Sequence, residues 1–115
     1  VSVIGDSTFM HTGVNGIVEM VYNRPATGHV VLILDNSTTA MTGLQEHPGT
    51  GRKLDHTPCP TPVSIEETVK GIGVDGRGFE ELLKKRLASN DTSVIICRRP
   101  CILAAVKIKS YGEKN

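Results

Sequence analysis

Two uninterrupted apolar segments, separated by a stretch with helical periodicity, limit most strongly what this chain can fold into. The first covers residues 1–4 and the second covers residues 29–34 (HVVLIL), and both are short and rich in β-branched side chains, as buried strands are. Between them, residues 13–23 place their apolar side chains on one stripe of a helix. A strand, a helix and a second strand in this order form a βαβ unit, whose two strands run parallel. The sequence therefore predicts an α/β fold with a mostly parallel sheet.

The remainder of the chain adds further elements and one long loop. Residues 35–63 lack periodicity and are rich in Thr, Pro, Gly and His, and a loop of that length is usually functional or disordered. The S-x-x-E pattern that opens residues 64–72 matches a capping box and predicts a helix there. Amphipathic periodicity predicts another helix over residues 79–90, and the run SVIIC predicts a third buried strand over residues 93–97. Residues 103–108 are apolar enough for one more strand or a docking segment.

The size and composition of the chain indicate one soluble domain. With 115 residues, of which 38% are apolar and 22% are charged, it has room for a single modest core. No run approaches the roughly 18 apolar residues of a membrane span. Because it opens on Val1 without a secretory signal pattern, we expect residues 1–115 to be one module of a longer cytoplasmic polypeptide. Cys59, Cys97 and Cys101 cannot all pair, and no redox or iron–sulfur spacing is present, which favours a reducing compartment and packing roles.

Charge is distributed unevenly along the chain. Residues 1–83 carry five bases and ten acids, whereas residues 84–115 carry eight bases and two acids. A basic terminal region can bind nucleic acid or an acidic partner, or it can simply be a solvated surface. The chain contains only two Tyr, two Phe and no Trp, too few for a base-stacking surface, and no nucleic-acid-binding motif accompanies them. We therefore expect a solvated surface and no nucleic-acid partner.

Small, oxygen-rich residues follow the first two predicted strands. They read GDST at residues 5–8 and DNST at residues 35–38, and ligands of open parallel sheets bind beyond such strand ends. The glycine permits a sharp turn, and the amides and hydroxyls near a helix start favour an anion. Asp6, the side-chain oxygen of Asn36 and a nearby backbone carbonyl meet the oxygen preference of Mg²⁺. The pattern predicts a diphosphate and divalent-cation site in outline, while an ordinary turn and a loop cap would use the same residue types.

Four longer strings make the pattern more specific. They are GDSTFMHTGVNGIVEMVYN at 5–23, ILDNSTTAMTG at 33–43, HPGTGR at 47–52 and RRPC at 98–101. In this order they resemble the thiamine diphosphate-binding part of the indolepyruvate ferredoxin oxidoreductase large subunit, and the likeness runs along nearly the whole chain. The variants GDS and DN, in place of the commoner GDG and NN, match the oxidoreductase branch. The resemblance implies a three-layer α/β/α thiamine diphosphate-binding fold of the diphosphate-binding type.

The resemblance also implies roles for individual residues. Asp6 and Asn36 would bind Mg²⁺ through their side chains, and Thr38 would bind it through its backbone carbonyl. His11 and His47 are candidates for facing the thiazolium ring and the substrate carboxylate, unless each of them hydrogen-bonds loop backbone instead. The diphosphate would be lined by small polar residues of the first turn and of the long loop: Gly5, Ser7, Thr8, Thr42, Gly43 and Gln45.

At the level of the whole enzyme, the resemblance implies oxidative decarboxylation of a 2-oxo acid, indolepyruvate or arylpyruvate, to acyl-CoA. Electrons would pass to iron–sulfur clusters and ferredoxin, and coenzyme A would collect the acyl group. A pyrimidine-binding domain and a second subunit would supply what residues 1–115 lack, including the activating glutamate and the clusters, so we expect the isolated chain to be inactive. The alternative is a non-catalytic binding or assembly module with the same fold, docking through the basic residues 84–115.

One segment departs from the family pattern. Between the helices predicted at 64–72 and 79–90, the family usually has another strand and an acidic turn, but this chain has only GVDGRG at 73–78. Either a short segment is missing from the sequence or the sheet has lost a strand. The two predicted metal-binding strand ends lie elsewhere in both cases.

Overall fold

The computed structural model describes residues 1–24, 26–74, 92–99 and 101–102. Within this part of the chain, three strands form one parallel sheet in the order β1-β2-β3, with the bounds Ser2–Gly5, His29–Asp35 and Thr92–Arg98. The register aligns Ser2 with Val31 and His29 with Thr92. Because the three strands run in one direction, their carboxyl ends lie at the same edge of the sheet. The predicted α/β fold with a parallel sheet is confirmed.

Helical structure follows β1 without an intervening loop. It begins as α1 (Asp6–Thr8), continues as a π-helical turn (Phe9–Gly13) and ends as α2 (Val14–Tyr22). The helix therefore starts at Asp6, whereas the apolar periodicity predicted a start at Gly13. The first three added residues are polar, and the apolar Phe9 and Met10 lie on a π-helical turn that departs from the 3.6-residue period, so periodicity does not detect them.

The helix after the long loop begins and ends as its sequence predicts. In α3 (Ile65–Ile72), Ser64 is the N-cap, and its Oγ accepts a hydrogen bond from the N–H of Glu67 at 3.2 Å. Gly73 follows the helix with a φ of 100°, the left-handed conformation that most often ends helices at glycine. Capping chemistry at both ends therefore fixes this helix to one segment of the chain.

The core lies between these helices and one face of the sheet. Its buried members are apolar side chains of the helical segments, of the residue that follows Gly73, and of β2 and β3: Phe9, Ile17, Ile65, Val69, Val74, Val31, Ile33 and Val94. Val30 and Ile95 are also fully buried, although alternation along a strand turns them toward the opposite face. Burial on both faces is what a layer on each side of a parallel sheet produces.

Several sequence predictions fall partly or wholly outside the described part of the chain. These are the helix at 79–90, the segment at 103–108 and most of the connector at 73–78. The predicted strand at 93–97 is present as β3, one residue longer at each end, and it pairs directly with β2. Within the described ranges, no helix is long and apolar enough to cross a membrane.

Substitutions at Gly71 and Gly73 test where α3 ends. Gly71 lies inside the helix with open space where a Cβ would be, whereas Gly73 has a positive φ. Gly71→Ala should raise the free energy of unfolding by about 0.5–1 kcal/mol, because alanine loses less backbone entropy in a helix. Gly73→Ala should lower it by about 1–2 kcal/mol, because a Cβ is strained in the left-handed region. Urea denaturation of the purified chain measures both, and shifts of the same sign would contradict this helix end.

Candidate functional site

Asp6 is the residue through which the first two strand ends meet. It directly follows β1 and is only 2% exposed. Its Oδ1 accepts the N–H of Ser7 at 2.8 Å, and its Oδ2 accepts the N–H of Ser37, beyond β2, at 3.0 Å. The same Oδ2 lies 3.1 Å from Nε2 of His47. One buried carboxylate therefore joins the turn after β1, the turn after β2 and the long loop.

The surroundings of Asp6 keep this carboxylate ionised. Burial raises the pKa of Asp6, but the hydrogen bonds from His47 and Ser7 and the interaction with the His47 ring together outweigh it. The net result is a pKa below the ordinary value of 3.8. Near neutral pH the site thus holds a buried negative charge, which is the property that a divalent-cation ligand needs.

The turn after β2 has a constrained backbone. Ser37 has a φ of 62°, in the left-handed region that non-glycine residues seldom occupy. Its N–H is shared between Oδ2 of Asp6 and Oδ1 of Asp35, each at 3.0 Å. The side-chain Oδ1 of Asn36 accepts the N–H of Thr38 at 3.2 Å. Asn36 and Thr38 thus flank Ser37, whose N–H bonds to Asp6, so the two turns that carry the three predicted metal ligands are in contact.

The donors at this point suit a hard cation. A carboxylate, an amide oxygen and backbone carbonyls are the oxygen ligands that Mg²⁺ takes, with phosphate oxygens and water completing its octahedron. In the part of the chain that the structure describes, no three His, Cys, Asp or Glu side chains are grouped so that they could hold a metal ion. The donor types at these strand ends are those expected of the predicted magnesium site.

Hydroxyl groups connect the first turn to the long loop. Thr39 Oγ1 donates to Ser7 Oγ at 2.7 Å, and Thr38 Oγ1 donates to the carbonyl of Gln45 at 3.3 Å. The backbones of Thr39 and Gln45 exchange hydrogen bonds of 3.0 and 3.2 Å, which closes a small hairpin. At its exposed tip, Thr42 bonds to the side chain of Gln45. The predicted diphosphate-binding residues thus belong to two segments in contact, the β1 turn and this hairpin.

His47 lies under the site rather than on its surface. The residue is 4% exposed, and Nδ1 of its ring accepts the N–H of Gly49 at 3.2 Å. Because Nδ1 accepts, Nε2 is the ring nitrogen that donates its N–H to Asp6. Gly49 suits this packing, because a Cβ there would lie 3.1 Å from Cε1 of His47. A hydrogen bond between His47 and loop backbone was one of the two roles expected from the sequence, whereas nothing in the residue spacing indicated the contact with Asp6.

His11 occupies a different position from His47. It is exposed and lies on the π-helical turn that follows α1. It borders a cavity of about 300 Å³ whose other lining residues come from the long loop: Glu46, His47, Pro48, Arg52, Lys53, Leu54 and Cys59. The two predicted catalytic histidines therefore share one cavity, His11 at its exposed wall and His47 at its buried wall.

Three residues near the site had no role in the sequence-based prediction. Asp35 accepts from Ser37, as described above, and Nε of Arg98 donates to Oδ2 of Asp35 at 2.6 Å. Nη2 of Arg98 reaches Oε1 of Glu66 at the same distance. The hydrogen bond to Asp35 is the main cause that raises the pKa of Arg98 above its ordinary value. In the sequence, Asp35 and Arg98 were marked only by the strings DN and RRPC, which contributed to the family resemblance but indicated no function for either side chain.

The buried pair of Asp6 and His47 has a measurable energetic signature. Without added metal, His47→Asn should lower the free energy of unfolding by about 2–3 kcal/mol, because Asp6 stays buried with one donor fewer. Asp6→Asn removes the charge, so the double variant should lose about 1–2 kcal/mol less than the sum of the single losses. Urea denaturation in EDTA at pH 7 measures this cycle. His29→Asn is the control, since that ring bonds only the neutral Ser2 hydroxyl in the described contacts, and additive losses would contradict the coupling.

Comparison with known proteins agrees with this geometry. Residues 1–97 match the family described as thiamine pyrophosphate enzyme, C-terminal TPP binding domain. Indolepyruvate oxidoreductase subunit IorA of Archaeoglobus fulgidus is 38% identical over an alignment of 112 positions, which covers 90% of this chain and 18% of the relative. The subunit of the same name from Pyrococcus abyssi is 39% identical over an alignment of 121 positions, which covers 96% of this chain and 18% of that protein.

The likeness extends to methanogens. Subunit IorA of Methanothermobacter thermautotrophicus is 36% identical over 129 residues, covering 99% of this chain and 20% of the relative. The chain thus spans about a fifth of the length of these relatives. No solved structure gives a significant match. With the family match covering residues 1–97 and the strand ends joined at Asp6, the chain belongs to the C-terminal TPP binding domains of thiamine pyrophosphate enzymes.

Proposed function

We propose that this chain binds thiamine diphosphate through its diphosphate and Mg²⁺, as part of a 2-oxoacid ferredoxin oxidoreductase of the indolepyruvate type. The observation that carries the proposal is the contact between Oδ2 of Asp6 and the N–H of Ser37, which joins the ends of β1 and β2. Subunits of indolepyruvate oxidoreductase are the relatives that match along most of the chain. The name of these relatives indicates the type of enzyme, and the residues around Asp6 would form the cofactor-binding site.

The proposed metal ligands have distinct tasks. Asp6 brings the negative charge, Asn36 brings an amide oxygen, and Thr38 brings its backbone carbonyl. Asp6 is the only charged member of this proposed ligand set, so the phosphate oxygens of the cofactor would provide most of the remaining attraction. Diphosphate and metal would therefore bind together, each completing the site of the other.

The diphosphate would lie against the β1 turn and the hairpin of the long loop. Gly5 has no side chain to obstruct the approach of a phosphate, and the hydroxyls of Ser7 and Thr8 come two and three residues after it. Thr42, Gly43 and Gln45 would approach from the hairpin tip. The bond from Thr39 to Ser7 connects the two segments, so a ligand that contacts one of them is also held near the other.

Bound thiamine diphosphate would supply an electron sink for decarboxylation. The two histidines then differ in their task. His47 is bonded at both ring nitrogens and is 4% exposed, which favours holding Asp6 over touching substrate. His11 borders the cavity from an exposed position and is our candidate for contact with the thiazolium ring or the substrate carboxylate.

Much of the proposed reaction depends on protein outside this chain. A pyrimidine-binding domain would provide the activating glutamate, and other segments or a second subunit would hold the iron–sulfur clusters. Ferredoxin and coenzyme A would act on the whole enzyme. Since the chain spans 18% of the length of the first relative, we expect it to bind the cofactor and to remain inactive by itself in a reducing cytoplasm.

The alternative of an assembly module rests on the basic residues 84–115, most of which lie outside the described part of the chain. One member that the structure describes, Arg98, is paired with Asp35 and Glu66. These ion pairs engage Arg98 within the domain, whereas the adjacent Arg99 is exposed. Binding of a partner protein in the absence of any cofactor would support the assembly-module alternative.

Calorimetry tests the proposed site. The chain should bind thiamine diphosphate with Mg²⁺ and lose this binding in EDTA. Asp6→Asn should weaken binding about 100-fold, because it removes the one charged protein ligand, a loss of roughly 2–3 kcal/mol. Asp55→Asn is the matched control: Asp55 lies on an exposed part of the long loop and bonds Thr57, so its affinity should stay within about twofold. Equal affinities of Asp6→Asn and the unsubstituted chain would contradict the assignment of Asp6 as a metal ligand.

A further inference from the structure

We propose that Arg98 is a positioning residue for the metal-binding turn, acting through Asp35 on Ser37. The inference rests on the proposed function, because that function assigns Asn36 and Thr38 as metal ligands. It adds a residue on β3, the strand that supplies none of those ligands. The geometry points to this role through a continuous series of short contacts.

Arg98 is the last residue of β3, where it connects two carboxylates. Nε donates to Oδ2 of Asp35 at 2.6 Å, and Nη2 reaches Oε1 of Glu66 at 2.6 Å. The side chain of Asp35 is 9% exposed, whereas that of Glu66 is 47% exposed. The bond to Asp35 is therefore the better shielded from water and the stronger of the two.

The second oxygen of Asp35 holds the turn itself. Oδ1 accepts the N–H of Ser37 at 3.0 Å and is 3.4 Å from its hydroxyl. Because Arg98 occupies Oδ2, the carboxylate is kept in the rotamer that presents Oδ1 to Ser37. Ser37 needs this support, since a left-handed serine persists only where its surroundings determine it.

The backbone after β3 clamps the same turn. The N–H of Arg99 donates to the carbonyl of Asp35 at 2.9 Å, and that of Cys101 donates to the carbonyl of Asn36 at 3.0 Å. Any residue other than proline could make those two bonds. The side-chain contacts at position 98 are different, because the fork of a guanidinium reaches two carboxylates at once and a lysine ammonium does not match that geometry.

The first arm of the test measures the turn without any cofactor. Amide exchange of Ser37 is followed by NMR in EDTA for the unsubstituted chain, Arg98→Met, Arg98→Lys and Glu66→Gln. Arg98→Met should speed exchange about tenfold or more, because the N–H of Ser37 loses a fixed acceptor. The exchange rate in Arg98→Lys should lie between those of the unsubstituted chain and Arg98→Met. Glu66→Gln leaves Asp35 paired and should change the exchange rate by less than about twofold.

The second arm measures the affinity for Mg²⁺ at saturating thiamine diphosphate. Arg98→Met should raise the Kd about 10- to 100-fold, the usual effect of losing a group that orients a metal ligand. In an Asp35→Asn background, the same substitution should add no further change. Such non-additivity separates positioning through Asp35 from a general loss of stability, which urea denaturation in EDTA records separately.

The outcomes decide the proposal. Unchanged exchange at Ser37 together with an unchanged Kd in Arg98→Met would overturn it, and so would an additive effect of Arg98→Met in the Asp35→Asn background. If Arg98→Met does not fold, Arg98→Lys is measured instead. An exchange rate of Ser37 and a Kd for Mg²⁺ that both equal those of the unsubstituted chain would then overturn the proposal. If the unsubstituted chain binds no thiamine diphosphate, the proposed function fails, while the exchange arm still tests whether Arg98 holds Ser37.

Discussion

The hydrogen bond from the backbone of Ser37 to the carboxylate of Asp6 is the contact on which the site depends. It connects the ends of β1 and β2, which parallel pairing has already brought to the same edge of the sheet. A buried carboxylate is costly unless donors surround it. Here the donors are two backbone amides and the ring of His47, so the cost of burying the charge is offset by groups that also set the shape of the site.

Around this contact, each side chain supports the next. His47 is fixed by the amide of Gly49, and Asp35 is fixed by Arg98. The left-handed backbone of Ser37 stores strain that these bonds hold in place. Such an arrangement is organised before a ligand arrives, so little of the binding free energy is spent on ordering the turn. These contacts hold a long loop without regular structure against the strand ends.

Sequence periodicity and capping predicted most of the described fold because those signals are local. The apolar run at 29–34 and the cap at Ser64 each depend on residues only a few positions apart. The early start of the first helix at Asp6 was missed, since its polar first turn has no apolar stripe. The π-helical turn at 9–13 was missed for a related reason, because one extra residue in a turn leaves no distinct pattern in a single sequence.

The sequence by itself determined the βαβ start, the oxygen-rich strand ends and, through the strings around Asp6, Asn36 and the HPGTGR segment, the resemblance to thiamine diphosphate domains. Only the tertiary structure decided which groups touch. The contacts of Asp6 with His47, and of Arg98 with Asp35, join residues 41 and 63 positions apart. Local propensity carries no information about such pairs, because their distance is set by the register of the parallel strands and by the path of the loop between them.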